Sequence, residues 1–170
     1  MSPVLERWNR LSAREAAEEI LACCGSAAWA NAIAAHRPFA DEAALVAASD
    51  EIWTCLTPRY WMEAFSKHPR IGERKAPELA SAQSAAWSAQ EQQNVTTADE
   101  AGQADLMGGN LEYERRFGRV FIVCATGKSA VEILTILQRR LQNDDATELR
   151  EAAEEQRKIT NLRLRKWLSK

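Results

Sequence analysis

The sequence predicts an all-α fold, a single-domain bundle of about eight helices broken by short non-helical segments. Alanine is abundant, with 30 of 170 residues. Seven Gly and five Pro together make about 7% of the chain, against an average near 12% for these two breakers. Helix start and stop signals also recur at short intervals along the whole chain. The length fits one domain with a core large enough to need no disulfide or metal staple.

Taken in order, Ser12 with Glu15 forms a capping box ahead of an Ala/Leu/Ile run that Gly25 stops. Ser26 to about His36 is an Ala-rich helix, closed by Arg37-Pro38-Phe39, where Pro38 disfavours a helical Arg37. Asp41 can cap the next run, to about Leu56. Thr57-Pro58 supplies a cap and a first-turn proline for a helix holding Tyr60, Trp61, Met62, Ala64 and Phe65. Pro69 ends that helix at His68 and opens the irregular stretch His68-Pro69-Arg70-Ile71-Gly72. Pro77 to Val95 reads as one long helix, and Thr97 with Glu100 as another capping box. Gly108-Gly109 reads as the strongest internal break, with helix resuming from Asn110 to Phe117 and stopping at Gly118. Val120 to Ala125 is a continuous apolar run with no partner strand, hence an extended buried segment. Ser129 with Glu132 starts a helix to about Gln142, and Asp145 with Glu148 starts the last one.

The formal charge of −2 argues against a nucleic-acid binder, which shows a strongly basic face. Cys23, Cys24, Cys55 and Cys124 have neither C-x-x-C nor zinc-ligand spacing, so they read as small hydrophobes in a reducing compartment. No apolar stretch is long enough to span a membrane, and the first residues lack a secretory h-region. The cytoplasm is therefore the expected location.

Three groups of residues can carry chemistry. Of the two histidines, His36 suits a capping or surface role, whereas His68 sits at a helix end entering a loop, where reactive groups are presented. On a helix, Ser88, Glu91 and Gln92 share one face, a hydroxyl, carboxylate and amide that would suit either a hydrogen-bonding ligand or solvent. An extended Phe121–Ala125 leaves backbone groups that a ligand or other protein groups must satisfy. Phosphate loops, dinucleotide fingerprints, serine elbows and His-Glu-x-x-His pairs are absent from the sequence. The chemistry expected is a cofactor-independent and metal-free reaction begun by moving a proton.

These residues are also where the chain resembles a known family. His68-Pro69-Arg70-Ile71-Gly72-Glu73, Ser88-Ala89-Gln90-Glu91-Gln92, Asn110 to Gly118 and Phe121-Ile122-Val123-Cys124-Ala125 occur in the order seen in the 2-oxo-4-hydroxy-4-carboxy-5-ureidoimidazoline (OHCU) decarboxylases of uric acid degradation. Arg37-Pro38-Phe39, Arg140 to Asn143 and Glu148-Leu149 extend the likeness over nearly the whole chain. The resemblance implies a helical fold, no cofactor, and conversion of OHCU to (S)-allantoin with loss of CO₂. It implies His68 as catalytic acid/base, with Glu91 beside the reacting centre. It also implies substrate binding by Pro69, Ser88, Ala89, Gln90, Gln92, Phe121, Ile122, Val123, Cys124 and Ala125, and it leans towards a homodimer. Two positions depart from the family: Val120 stands where many members have proline, and Thr126 where many have an arginine suited to an anionic substrate. Lys128, Arg70 and Arg37 are the candidate replacements. The rival class is a non-enzymatic adaptor that uses Leu149, Ile159, Leu162, Leu164 and Trp167 of the last helix to bind a partner. A family member with a shifted substrate is a third.

Overall fold

The computed structural model describes residues 2–73, 77–95 and 99–170. Among the described residues there are nine helices and no strand. They divide into two compact units, Met1–Ala64 with Arg157–Lys170, and Phe65–Gln156.

The first unit opens with a helix the sequence reading omitted, α1 (Pro3–Asn9), where Ser2 accepts a hydrogen bond from the Leu5 amide and Pro3 occupies the first turn. This is the same Ser/Thr-Pro signal seen at Thr57-Pro58. The predicted capping box of Ser12 and Glu15 starts α2 (Ala13–Cys24), which Gly25 ends at φ 88°. Ser26 caps α3 (Ala27–Ala35) and Asp41 caps α4 (Glu42–Cys55), followed by α5 (Pro58–Phe65). Trp8 is wholly buried. Its indole N–H donates to Ala16 O at 2.9 Å, and its ring lies edge-on to Trp167 and stacked on Phe39.

The second unit carries α6 (Ala82–Glu91), α7 (Glu100–Phe117), α8 (Ala130–Arg140) and the start of α9 (Asp145–Leu168). Its core includes Leu106, Tyr113, Phe117, Phe121, Ile133 and Leu137. Gly118 ends α7 at φ 65°, and Ser129 with Glu132 forms the predicted capping box of α8.

Three expectations are corrected here. The helix read over Pro77–Val95 is confined to Ala82–Glu91, because the Ser81 hydroxyl accepts from Ser84 N–H and fixes the start there. Gly108-Gly109 does not break α7. A Cβ on Gly109 would lie 2.5 Å from Leu137 Cδ2, so the glycine permits close packing of α7 on α8 rather than a turn. The last helix is capped by Asp144, whose carboxylate accepts from the amide and hydroxyl of Thr147, while Glu148 is buried and serves another purpose. Thr97, the other expected cap, lies outside the described residues, and Asp99 caps α7 instead. Ile159, Leu164 and Trp167 are buried, which removes much of the apolar face that an adaptor would present.

Candidate active site

His68 follows α5, its amide donating to Phe65 O at 3.1 Å, and Pro69 prevents the helix from continuing. The imidazole is 8% exposed, and its Nε2 lies 2.7 Å from Gln156 Oε1 on α9. The backbone beyond it is pinned at successive residues. Asn110 Nδ2 donates to Ile71 O at 2.8 Å. Gly72, at φ 88°, donates its N–H to Gln92 Oε1 at 3.0 Å. Arg70 makes a forked pair with Glu114, at 2.6 and 2.8 Å, and also reaches Glu73. These carboxylates, Glu114 first, hold the guanidinium firmly protonated.

Helix α6 sorts its predicted residues by face. Ser88 and Glu91 are buried, and so is Gln92 at its end, whereas Ala89 and Gln90 are exposed. The 100° step of an α-helix separates the two sets.

The segment Phe121–Ala125 is neither helix nor strand and is buried throughout, as the apolar run implies. Charged side chains hold it. Arg140 Nη1 donates to Ile122 O at 2.6 Å, with its guanidinium 4.7 Å over the Phe121 ring. Cys124 N–H donates to Glu155 Oε2 at 2.8 Å, and Lys128 Nζ donates to Cys124 O at 2.8 Å. Arg140 is in turn paired with the wholly buried Glu148, which also accepts from Tyr113 OH at 2.5 Å. Among the described residues, no hydrogen bond reaches the N–H or C=O of Val123. Burial pushes the Cys124 thiol up, Lys128 opposes this, and the charges of Glu155 and Glu91 add to it. Glu91, Lys128 and Glu155 therefore all lie within electrostatic reach of one sulfur. Gln156, the partner of His68, is the next residue on α9.

The remaining predicted residues fall elsewhere. Arg37 is spent on structure in the first unit, donating to Ala34 O, Trp8 O and Leu11 O. His36 caps α3, its Nδ1 2.8 Å from Ala32 O. A cavity of about 460 Å³ shares Arg70, Ile71, Gly72 and Asn110 with the turn. His68, Ser88 and Glu91 are not among the residues that line it. Glu155 and Gln156 had no local signal as site residues, since their partners lie on distant elements. Asn110, Arg140 and Glu148 stand in stretches that carry the family resemblance but had been given no role in the site. No group of three His, Cys, Asp or Glu among the described residues is placed to hold a metal ion. No described helix is long and apolar enough to cross a membrane.

The family model for OHCU decarboxylase matches residues 9–165. The chain is 33% identical over 152 residues to the uric acid degradation bifunctional protein TTL of Arabidopsis thaliana, an alignment covering 89% of this chain and 47% of that protein. It is 40% identical over 75 residues to the 2-oxo-4-hydroxy-4-carboxy-5-ureidoimidazoline decarboxylase of Amia calva, covering 44% of this chain and 43% of that one. This chain thus spans about half the length of the curated relatives it matches. Among solved structures, an OHCU decarboxylase crystallised in the presence of (S)-allantoin superimposes with a TM-score of 0.77 at 32% identity, covering 90% of this chain and 99% of that one. An (S)-allantoin synthase at 18% identity shares the fold, with a TM-score of 0.70. On the extent of the family match, the chain belongs to the OHCU decarboxylase family.

Proposed function

We propose that this chain decarboxylates OHCU to (S)-allantoin and CO₂ by proton transfer through His68, with no cofactor. The observation that carries this reading is the buried imidazole of His68, held by Gln156 next to the helix position that anchors the buried segment. The substrate's chemistry supports it. Its departing carboxylate is on a ring carbon that bears a hydroxyl and adjoins the ureido-bearing carbon, which is the carbon end of the ring C=N bond. The electron pair left by CO₂ forms a C=C bond to that carbon as the C=N electrons move onto the ring nitrogen, which takes up a proton. The product is an enol that is then protonated at the ureido-bearing carbon, so no external electron sink is required.

His68 takes up the hydroxyl proton and later delivers a proton to one face of the intermediate, which sets the stereochemistry. Positioned acid–base catalysis of this kind supplies about 10²–10⁴-fold, roughly 3–5 kcal/mol. Glu91 either orients the imidazole or hydrogen-bonds the substrate hydroxyl. The ureido and ring amides bind along the Ser88–Glu91–Gln92 face, leaving the exposed side chains of Ala89 and Gln90 outside it. The Gln92 carbonyl is held by Gly72, so its amide N–H₂ is the part offered to substrate. Pro69 walls the site next to His68. The backbone of Phe121, Ile122, Val123, Cys124 and Ala125 supplies donors and acceptors, Val123 foremost. Donors aimed at the developing oxyanion add a comparable electrostatic term.

The test follows freshly generated OHCU by circular dichroism with and without protein. His68→Ala should leave only spontaneous, racemic decay; near-normal (S)-allantoin formation by that variant would refute the role. Lys128 is our choice for the cation that replaces the arginine missing at Thr126. Arg37 and Arg70 are committed to carbonyls and carboxylates, whereas Cys124 O occupies one of the lysine's three N–H donors. Lys128→Met should raise KM by about tenfold, the value of one charge-assisted hydrogen bond; an unchanged KM would remove Lys128 from the site.

The same reading makes the two units one functional domain, which the family match running from residue 9 to 165 supports. It also includes a cytoplasmic location and a homodimer. Sedimentation equilibrium returning the chain mass of 19.0 kDa would exclude the dimer.

A further inference from the structure

We infer that Gln156 is a positioning residue that sets the tautomer of His68, keeping hydrogen on Nε2 and the basic lone pair on Nδ1. This rests on the proposed role of His68 in proton transfer. The oxygen of the Gln156 amide faces the ring at 2.7 Å, and a carbonyl oxygen only accepts hydrogen bonds. Nε2–H must therefore donate, and in a neutral imidazole the other nitrogen then carries the lone pair. Both partners are held in place. Gln156 is wholly buried on α9 and His68 is 8% exposed, while the His68 amide is tied to Phe65 O.

The chemistry of the partner is informative as well. A carboxylate at this position would stabilise the imidazolium and hold protons on both nitrogens. A neutral amide selects one nitrogen without adding charge, which suits a ring that must take up a proton and release it again. The neighbouring side chain on α9, Glu155, fixes Cys124 N–H, so the imidazole is oriented from the same turn of helix as the buried segment. His36 supplies an internal contrast: its Nδ1 lies 2.8 Å from Ala32 O, which demands the opposite tautomer.

Because the chain has only two histidines, long-range ¹H–¹⁵N spectra of the full ¹⁵N-labelled protein resolve both rings, with His36→Gln assigning them. At a pH where the rings are neutral, His68 is expected as the Nε2–H form and His36 as the Nδ1–H form. Gln156→Met, which has no comparable acceptor, should mix the His68 tautomers, while Gln156→Glu retains Nε2–H. In Gln156→Met, kcat should fall at least about tenfold with KM within about twofold, since a wrongly protonated ring binds substrate but cannot take its proton. An Nδ1–H form of His68 in the parent protein overturns the inference. So does an unchanged tautomer population in folded Gln156→Met; if that variant does not fold, the parent spectrum and Gln156→Glu decide. Absence of decarboxylation alongside the expected spectra would count against the functional reading and leave the tautomer assignment standing.

Discussion

The two non-helical segments of the candidate site are secured by different chemistry. The turn from His68 to Gly72 is held mainly by neutral amides, with Gln156 on the ring, Asn110 on Ile71 O and Gln92 on Gly72 N–H. The buried segment from Phe121 to Ala125 is held by ions, with Arg140 on Ile122 O and Glu155 and Lys128 on Cys124. Amide pins do not titrate and are little affected by salt. Ionic pins bond more strongly but leave a buried charge when one member is lost. The half that carries the proposed proton-transfer group is thus the half whose supports are mostly indifferent to pH. The half expected to grip substrate through its backbone draws its rigidity from charge.

The largest test of this contrast is Arg140→Met. It strips the charged donor from Ile122 O and weakens the support of Glu148; the side chains of Arg140 and Glu148 have no exposure. Breaking such a pair costs about 3–5 kcal/mol, read as a lower urea midpoint with m unchanged. A loss below about 1 kcal/mol would mean that the ionic pin is dispensable. Gln92→Leu removes an amide pin and leaves Gly72 N–H without its acceptor, for about 1–3 kcal/mol. Hydrogen exchange at the Gly72 amide should accelerate more than at the Cys124 amide; the reverse order would mean that the two segments are not held independently.

A smaller effect separates them by pH. Tyr113 packs its ring edge-on to Phe121 of the buried segment and donates to Glu148. Burial first, then that bond, raises its pKa above the ordinary 10.0. The folded protein then holds this proton more tightly than the unfolded chain does. Its stabilisation is complete below that value and is lost as pH rises beyond it. Urea midpoints at about pH 8 and about pH 11 should therefore converge for the parent and Tyr113→Phe as alkali removes the parent's advantage. A constant gap would show that Tyr113 contributes no pH-dependent stability.

Much of the helical scaffold was legible because its signals are local. Ser12 with Glu15, Ser129 with Glu132, Gly25 and Gly118 each act within one turn of helix, and each stands where the sequence placed it. Gly109 was misread because a glycine in a helix has two meanings, a break or a close approach, and Leu137 decides between them from 28 residues away. The proposed site divides in the same way. Helical spacing groups Ser88, Glu91 and Gln92 on one face, but leaves open whether it meets a ligand or solvent; their burial and the exposure of Ala89 and Gln90 are set by packing. Gln156 pairs with a residue 88 positions earlier, and no spacing rule spans that distance. Glu148 misled for a related reason: beside Asp145 it resembled a surface cap, but Arg140 and Tyr113 draw it inside.

Adjacent residues of α9 hold the His68 ring and the Cys124 amide, two points more than fifty positions apart in the chain. Their spacing is therefore referred to a single local datum. A small displacement of that turn carries both attachments along together, so to first order it moves the two halves of the site without changing the gap between them. Neither of these two bonds reaches α6, which brings Glu91. Substitutions that loosen α6 should disturb the register of Glu91 against the imidazole sooner than comparable changes around residues 155 and 156.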